Sequence, residues 1–211
     1  MIELYYNPGN ASLFPHLLLR ELGAPFELRF VDRTIDAQKS PAYLALNPQG
    51  KIPLLVEDGR PIYETVAIGL HLADAYPAAG LAPAVGTARR ADYLRWMAVI
   101  ANTLQAEFRA WFYPHEFTTD PAGAEAVKAA VGARLAAAFA RIADELGEGP
   151  WLLGDRMSAA DLYLLMMVRW GRTLPVPARD LPALGRHAER LLARPAVKAA
   201  FAAEGLEAPF V

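Results

Sequence analysis

The chain changes character at about residue 79. Residues 1–78 hold 9 alanines and residues 79–211 hold 32. The first stretch carries 6 Lys+Arg against 9 Asp+Glu, and the second 15 against 14. Between them runs Ala79-Gly-Leu-Ala-Pro-Ala-Val-Gly86, whose Gly and Pro density marks a linker. The expected organisation is therefore a domain over 1–78, a linker over 79–86 and a second domain over 87–211. A length of 211 residues allows two domains. No internal repeat is visible.

Strand and helix signals alternate in the first domain. Ile2–Tyr6 is a short β-branched and aromatic run that stops at Asn7-Pro8-Gly9, a turn. Leu13–Leu22 has a helical apolar face, and Gly23 is suited to the left-handed position that ends a helix. Phe26–Val31 reads as a second strand and Pro41–Leu46 as a short helix before the turn cluster Asn47-Pro-Gln-Gly50. Pro53–Val56 and Pro61–Tyr63 flank an Asp58-Gly59 hairpin turn, and Thr65–Tyr76 is a helix. The order β-α-β-α-β-β-α predicts a four-stranded mixed sheet with helices on both faces, the thioredoxin-like α/β arrangement.

The second domain reads as an all-α helical bundle. Residues 87–113 form one long helical segment. Val127, Val131, Leu135, Phe139, Ile142 and Leu146 make a stripe at helical spacing. Leu162–Val168 is apolar at every position, as expected of a helix buried on all sides. Ahead of it, Ser158-Ala-Ala-Asp161 fits a capping box in its Asp form, with Met157 and Leu162 placed for a hydrophobic staple.

Composition excludes several functions. Hydrophobic residues make up 54% and charged residues 21%, enough for a sizeable core. The net charge of −2, without a basic stripe, argues against nucleic acid and against an anionic membrane surface as partners. There is no cysteine, hence no disulfide, thiolate metal site, redox pair or Cys nucleophile. His16, His71 and His187 lack partners at metal-ligand spacing and read as helix residues without chemistry; no metal is expected. Met1-Ile-Glu-Leu has no signal-peptide pattern, and no apolar run is long enough to span a bilayer, so a cytoplasmic protein is expected.

Four segments, in order, resemble the cytosolic glutathione transferases. They are Leu4-Tyr-Tyr-Asn-Pro-Gly-Asn-Ala-Ser12, Asn47-Pro-Gln-Gly-Lys-Ile-Pro53, Tyr63-Glu-Thr65 and Trp151-Leu-Leu-Gly-Asp-Arg-Met-Ser-Ala-Ala-Asp161. The resemblance spans essentially the whole chain and implies a thioredoxin-like glutathione-binding domain followed by a helical domain. It implies glutathione as co-substrate, Pro53 in the cis form, and Ile52 offering its backbone to the cysteinyl part of the ligand. It places Glu64 on the ligand's α-amino group and Thr65, at a helix N-terminus, on its α-carboxylate; free amides and the helix dipole suit an anion there. Lys51, Lys39 and Gln38 are candidates for the glycyl carboxylate.

The thiol needs activation. A free thiol with pKa near 8.5 is only slightly ionised at pH 7; lowering it to ~6.5 takes about 2.7 kcal/mol of preferential thiolate stabilisation. In the bacterial beta-like pattern Pro-Gly-Ala-Cys-Ser, this chain reads Pro8-Gly-Asn-Ala-Ser12, with Ala11 in place of the cysteine. The candidate thiol contacts are Ser12, Asn10 and Tyr6, in that order; Ser12 equally fits a helix N-cap. Without a cysteine, a mixed disulfide between protein and glutathione cannot form.

The resemblance places the electrophile site between the domains, on Glu107-Phe-Arg-Ala-Trp-Phe-Tyr-Pro-His115. Phe108, Trp111, Phe112 and Tyr113 form an aromatic wall suited to apolar or planar substrates. Arg109 offers a cation where beta-like relatives place a histidine. The alternative for this segment is a core aromatic cluster beside a surface charge. The implied function is addition of glutathione to an electrophile by a homodimer. The competing readings are a glutathione-dependent disulfide or peroxide reductase and a non-catalytic stress or interaction protein. A maleylacetoacetate isomerase is disfavoured, because the Ser-Ser-x-Cys loop is absent.

Overall fold

The computed structural model describes residues 1–211 and divides into two compact units. The first comprises Met1–Ala82 together with Leu192–Phe210; the second comprises Pro83–Leu191 and Val211.

The first unit is built on a sheet of β1 (Ile2–Tyr6), β2 (Phe26–Phe30), β3 (Leu54–Glu57) and β4 (Arg60–Tyr63), in the order β2-β1-β3-β4. β1 runs parallel to β2 and antiparallel to β3, and β4 is antiparallel to β3. The parallel pair requires a crossover, supplied by α1 (Leu13–Leu22). The mixed sheet is thus the expected one.

Both sheet faces are covered, so β3 reads as a continuous apolar run. Tyr5, paired with Leu54, shares a face with Val56, and these pack with Val31 and Tyr43 from α2 (Pro41–Leu46). Leu4 and Leu55 pair on the opposite face and are fully buried. α1 packs against α3 (Thr65–Ala75). α1 stops at Gly23, whose φ of +64° lets its amide reach back to Leu19 and Arg20. The hairpin turn holds Asp58 at φ +48° and Gly59 at φ +80°, the geometry that matches strand twist.

The second unit contains α4 (Ala88–Val99), a π-helical segment (Ile100–Gln105), α5 (Ala106–Phe112), α6 (Ala124–Leu146), α7 (Ala159–Gly171) and α8 (Pro182–Leu192). The long segment expected over 87–113 is helical, with one widened turn between α4 and α5. The apolar stripe of α6 is buried from Val131 to Leu146, and every residue of Leu162–Val168 is buried. The capping box at Ser158 forms in full. The Asp161 carboxylate accepts from the Ser158 amide at 2.7 Å, the Leu152 amide at 2.8 Å and His187 Nε2 at 2.9 Å.

The last helix, α9 (Pro195–Ala203), lies against α1 and belongs to the first unit. The sequence expectation had assigned all of 87–211 to the second domain. What joins this segment to the first is its packing on α1 and a two-pronged ion pair, Arg194 to Glu21 at 2.6 and 2.7 Å.

Candidate active site

The loop between β1 and α1 is held by its own backbone and by three side chains. Asn7 Nδ2 donates to the Val31 carbonyl at 3.0 Å, which fixes the loop to the end of β2. The Asn10 amide donates to the Asn7 carbonyl at 3.1 Å, closing a turn in which Gly9 has φ +66°. No other residue adopts that conformation as cheaply. The Gly9 amide donates to Glu204 Oε2 at 2.8 Å.

The three thiol candidates fall in different places. Ser12 is fully buried; its Oγ accepts from the Asn7 amide at 3.3 Å and donates to the Asn7 carbonyl at 3.2 Å. It does not cap α1 through its side chain, because its backbone is already helical and the hydroxyl folds back onto the loop. Asn10 is half-buried, and its Oδ1 accepts from the Ala11 amide at 2.7 Å. Tyr6 is half-buried, with His16 and Phe30 at ring distances of 6.4 and 5.9 Å.

A second loop precedes β3. The Lys51 carbonyl accepts from Tyr43 Oη at 2.7 Å and from Asn47 Nδ2 at 2.8 Å. Burial pushes the Tyr43 phenol well above its ordinary value, so it remains a donor. Ile52–Pro53 is cis, as the resemblance implied. Lys39 Nζ reaches the Gln49 carbonyl at 3.4 Å, and Lys51 is exposed. Gln38 donates from Nε2 to Asp36 at 2.8 Å, while its Oε1 is buried without a partner.

Beside this loop stands the start of α3. Glu64 has φ +76° and ψ +116°, an outlier for a residue with a side chain, and its side chain is exposed. Such conformations cost about 1–3 kcal/mol and concentrate at functional positions. Gln49 Nε2 donates to Glu64 Oε1 at 3.0 Å. Thr65 follows as the first, buried residue of α3, at the positive end of the helix dipole. Glu64, Thr65, Gln49, Lys39 and the 51–53 backbone thus come together in the first unit.

The aromatic segment of the second unit is less uniform than expected. Phe108 is fully buried; it stacks on Phe112 at 5.6 Å and meets the edges of Phe139 and Trp170. It backs the wall and presents no surface of its own. Phe112 is 41% exposed. Trp111 donates to Thr173 Oγ1 at 2.9 Å and lies against Gly132 of α6, where a Cβ would stand 3.0 Å from the ring. Arg109 is paired with Glu116, at 2.8 Å from Nε, and lies 4.3 Å over the Tyr113 ring. Its charge is met locally.

Two neighbours of the candidate residues carry no signal in the sequence. Gln49 lies in the quoted Asn47–Pro53 segment, but nothing there signals that it reaches Glu64, 15 residues on. Glu204 has no local signal at all. The three helix histidines each face a carboxylate: His16 with Glu204 at 2.8 Å, His71 with Glu57 at 2.6 Å and His187 with Asp161 at 2.9 Å. No group of three or more His, Asp or Glu side chains is placed to hold a metal ion, and no helix is long and apolar enough to cross a membrane.

Residues 12–75 match the family model of the glutathione S-transferase N-terminal domain, and residues 99–195 match that of the C-terminal domain. The chain belongs to the glutathione S-transferase family. It is 37% identical to glutathione S-transferase GST-4.5 of Xanthomonas campestris pv. campestris, over 97% of this chain and 100% of that one. Among solved structures, a glutathione transferase from Methylococcus capsulatus superposes with a TM-score of 0.86 at 38% identity, covering 97% and 99% of the two chains. A sphingomonad glutathione S-transferase, solved in complex with glutathione, superposes at 0.84 with 36% identity, covering 97% and 100%.

Proposed function

We propose that this chain is a glutathione transferase that binds reduced glutathione on its first unit, stabilises the thiolate and adds it to an electrophilic, apolar or aromatic compound. The observation that carries the reading is Glu64. A carboxylate is held at positive φ at the mouth of α3, anchored by Gln49 and next to the N-terminal, positive end of the helix that begins at Thr65. A ligand bearing an α-ammonium and an α-carboxylate matches that pair of opposite charges. The relative crystallised with glutathione supports the choice of ligand.

Within this reading, Glu64 accepts from the α-amino group, and the Thr65 amide and hydroxyl donate to the α-carboxylate. The Ile52 backbone pairs with the cysteinyl residue, and Lys39 and Lys51 meet the glycyl carboxylate, with Gln38 beside them. Asn10 Nδ2 donates to the thiolate. Ser12 holds the loop in shape from inside, and Tyr6 lines the strand end. The thiolate sulfur forms a bond to the electrophilic carbon. Where that carbon carries a halide, the carbon–halogen bond breaks and halide leaves with the electron pair. Phe112, Tyr113 and Trp111 supply the aromatic surface for the acceptor, Phe108 supports it, and Arg109 frames it through Tyr113. A homodimer is the proposed assembly and the cytoplasm the proposed location.

The comparisons do not favour the reductase or the non-catalytic reading, since the named relatives are transferases. Calorimetric titration with reduced glutathione, followed by turnover of a chloronitrobenzene, tests the proposal. Saturable binding in the micromolar to low millimolar range with chloride release is the expected result. Absence of binding at several millimolar overturns it.

A further inference from the structure

Glu204 is a carboxylate where a helix favours a cation. It is the C-cap of α9, beside the unsatisfied carbonyls that form the negative end of the helix dipole. It is also only 5% exposed. A buried carboxylate in that position requires strong donors. Two reach it from the far end of the chain. The Gly9 amide donates to Oε2 at 2.8 Å, and the fully buried His16 ring donates through Nδ1 to Oε1 at 2.8 Å. Arg20 Nε donates to His16 Nε2 at 3.4 Å, which assigns the ring proton to Nδ1.

The Arg194–Glu21 fork and helix packing hold α9 on α1, and the His16–Glu204 pair ties the other end of α9 to the same helix; neither of these needs the bond to Gly9. What Glu204 adds is a grip on Gly9, the positive-φ residue of the loop that carries Asn10. We propose that Glu204 is a positioning residue for the thiolate: by fixing the Gly9 peptide it sets the direction in which the Asn10 amide is presented to the glutathione sulfur, and His16 fixes Glu204 in turn. The inference rests on the reading that glutathione binds with its thiol at this loop. The effect is geometric. A carboxylate behind the loop opposes a thiolate by charge, so its contribution is to pre-organise donors. A neutral amide able to accept from Gly9 should therefore replace it in part, losing only the bond from His16.

The test measures the apparent pKa of the bound glutathione thiol by its ultraviolet thiolate absorbance, with kcat/KM against pH and the glutathione Kd, in the full-length protein. Glu204→Ala is expected to raise the thiol pKa and lower kcat/KM about tenfold at neutral pH, with Kd within about threefold of the parent. Glu204→Gln keeps an acceptor for the Gly9 amide but turns its Nε2 donor toward His16 Nδ1–H, so its kcat/KM should fall between those of Glu204→Ala and the parent. Arg194→Ala, which loosens α9 without touching the loop, should lower Tm and leave the thiol pKa unchanged. If Glu204→Ala does not fold, Glu204→Asp, whose shorter arm cannot span both donors, takes its place beside the Gln variant. A parental thiol pKa in Glu204→Ala (or in Glu204→Asp), or an equal rise in Arg194→Ala, overturns the inference. A Gln variant as impaired as the Ala or Asp variant does so too. A parent protein that binds no glutathione, or binds it without lowering the thiol pKa, overturns the functional reading as well.

Discussion

Gln49 Nε2 donates to Glu64 Oε1 at 3.0 Å, tying the loop ahead of β3 to the first turn of α3. The bond leaves Glu64 exposed while fixing its carboxylate. Glu64→Ala should weaken glutathione binding by about 1.5–3 kcal/mol, the range for hydrogen bonds to a charged group. Gln49→Ala should weaken it by about 0.5–1.5 kcal/mol, because it removes only the anchor. Calorimetric Kd values check both, and an unchanged Kd for Glu64→Ala would remove Glu64 from the site.

The backbone at Glu64 gives a separate expectation. At φ +76° a side chain is strained by about 1–3 kcal/mol. Glycine relieves that strain, offset by about 0.4–1 kcal/mol of extra chain entropy in the unfolded state. Glu64→Gly should thus be about 1 kcal/mol more stable to urea than Glu64→Ala while binding glutathione equally poorly. Equal unfolding midpoints for the two variants would limit the strain to the entropy cost of glycine, about 0.4–1 kcal/mol.

Ser12 and Asn10 separate cleanly. The Ser12 hydroxyl is buried and satisfies both the amide and the carbonyl of Asn7. Ser12→Ala leaves the amide unpaired and should cost about 1–3 kcal/mol of stability. Asn10→Ala should instead raise the pKa of the bound thiol and reduce kcat/KM by tenfold or more at near-parental stability, a loss of about 1.4 kcal/mol or more in the transition state. Should Ser12→Ala, still folded, raise the thiol pKa more than Asn10→Ala does, the two roles would be exchanged.

Gly50 has φ +59°, and a Cβ there would stand 2.9 Å from Lys39 Cδ and Nζ and 3.0 Å from the Gln38 carbonyl. Gly50→Ala should destabilise the protein by about 1 kcal/mol or more from the backbone alone. It should also push the Lys39 ammonium off the Gln49 carbonyl, weakening glutathione binding. Binding of a glutathione analogue whose glycyl carboxylate is amidated should then be less affected than binding of glutathione itself. Equal losses would show that Lys39 does not meet that carboxylate.

What the sequence discloses is what short-range chemistry decides. The Asp58-Gly59 turn, the Gly23 stop and the Ser158–Asp161 capping box each involve residues within a few positions of one another, and all three form. Glu64-Thr65 and the Asn47–Pro53 loop stand out only through their resemblance to the glutathione transferases, and the implied cis Ile52–Pro53 bond is present. The limits are equally physical. Ser12 precedes a helix and reads as its cap, but its backbone joins the helix and its hydroxyl turns back to Asn7. Phe108 and Phe112 share one helix face four residues apart, yet one is fully buried and the other 41% exposed. Nothing in the α9 sequence states that it returns to α1, because the carboxylate that meets Gly9 lies 195 residues away.

Tyr43 connects the α2 helix to the loop ahead of β3 and provides a pH-dependent test. Its hydroxyl donates to the Lys51 carbonyl, and burial raises its pKa above the ordinary 10.0. A phenol with a raised folded pKa keeps its stabilising effect below the unfolded value. Above about pH 10 the unfolded chain releases that proton while the folded one retains it, so stability falls as pH rises further. Tyr43→Phe should remove this alkaline loss. It should cost about 0.5–1.5 kcal/mol at neutral pH, because Asn47 Nδ2 still pairs with the Lys51 carbonyl. Urea unfolding between pH 7 and 11, compared for the two proteins, measures the effect. Curves that stay parallel above pH 10 would mean that Tyr43 ionises in the folded state as readily as in the unfolded one.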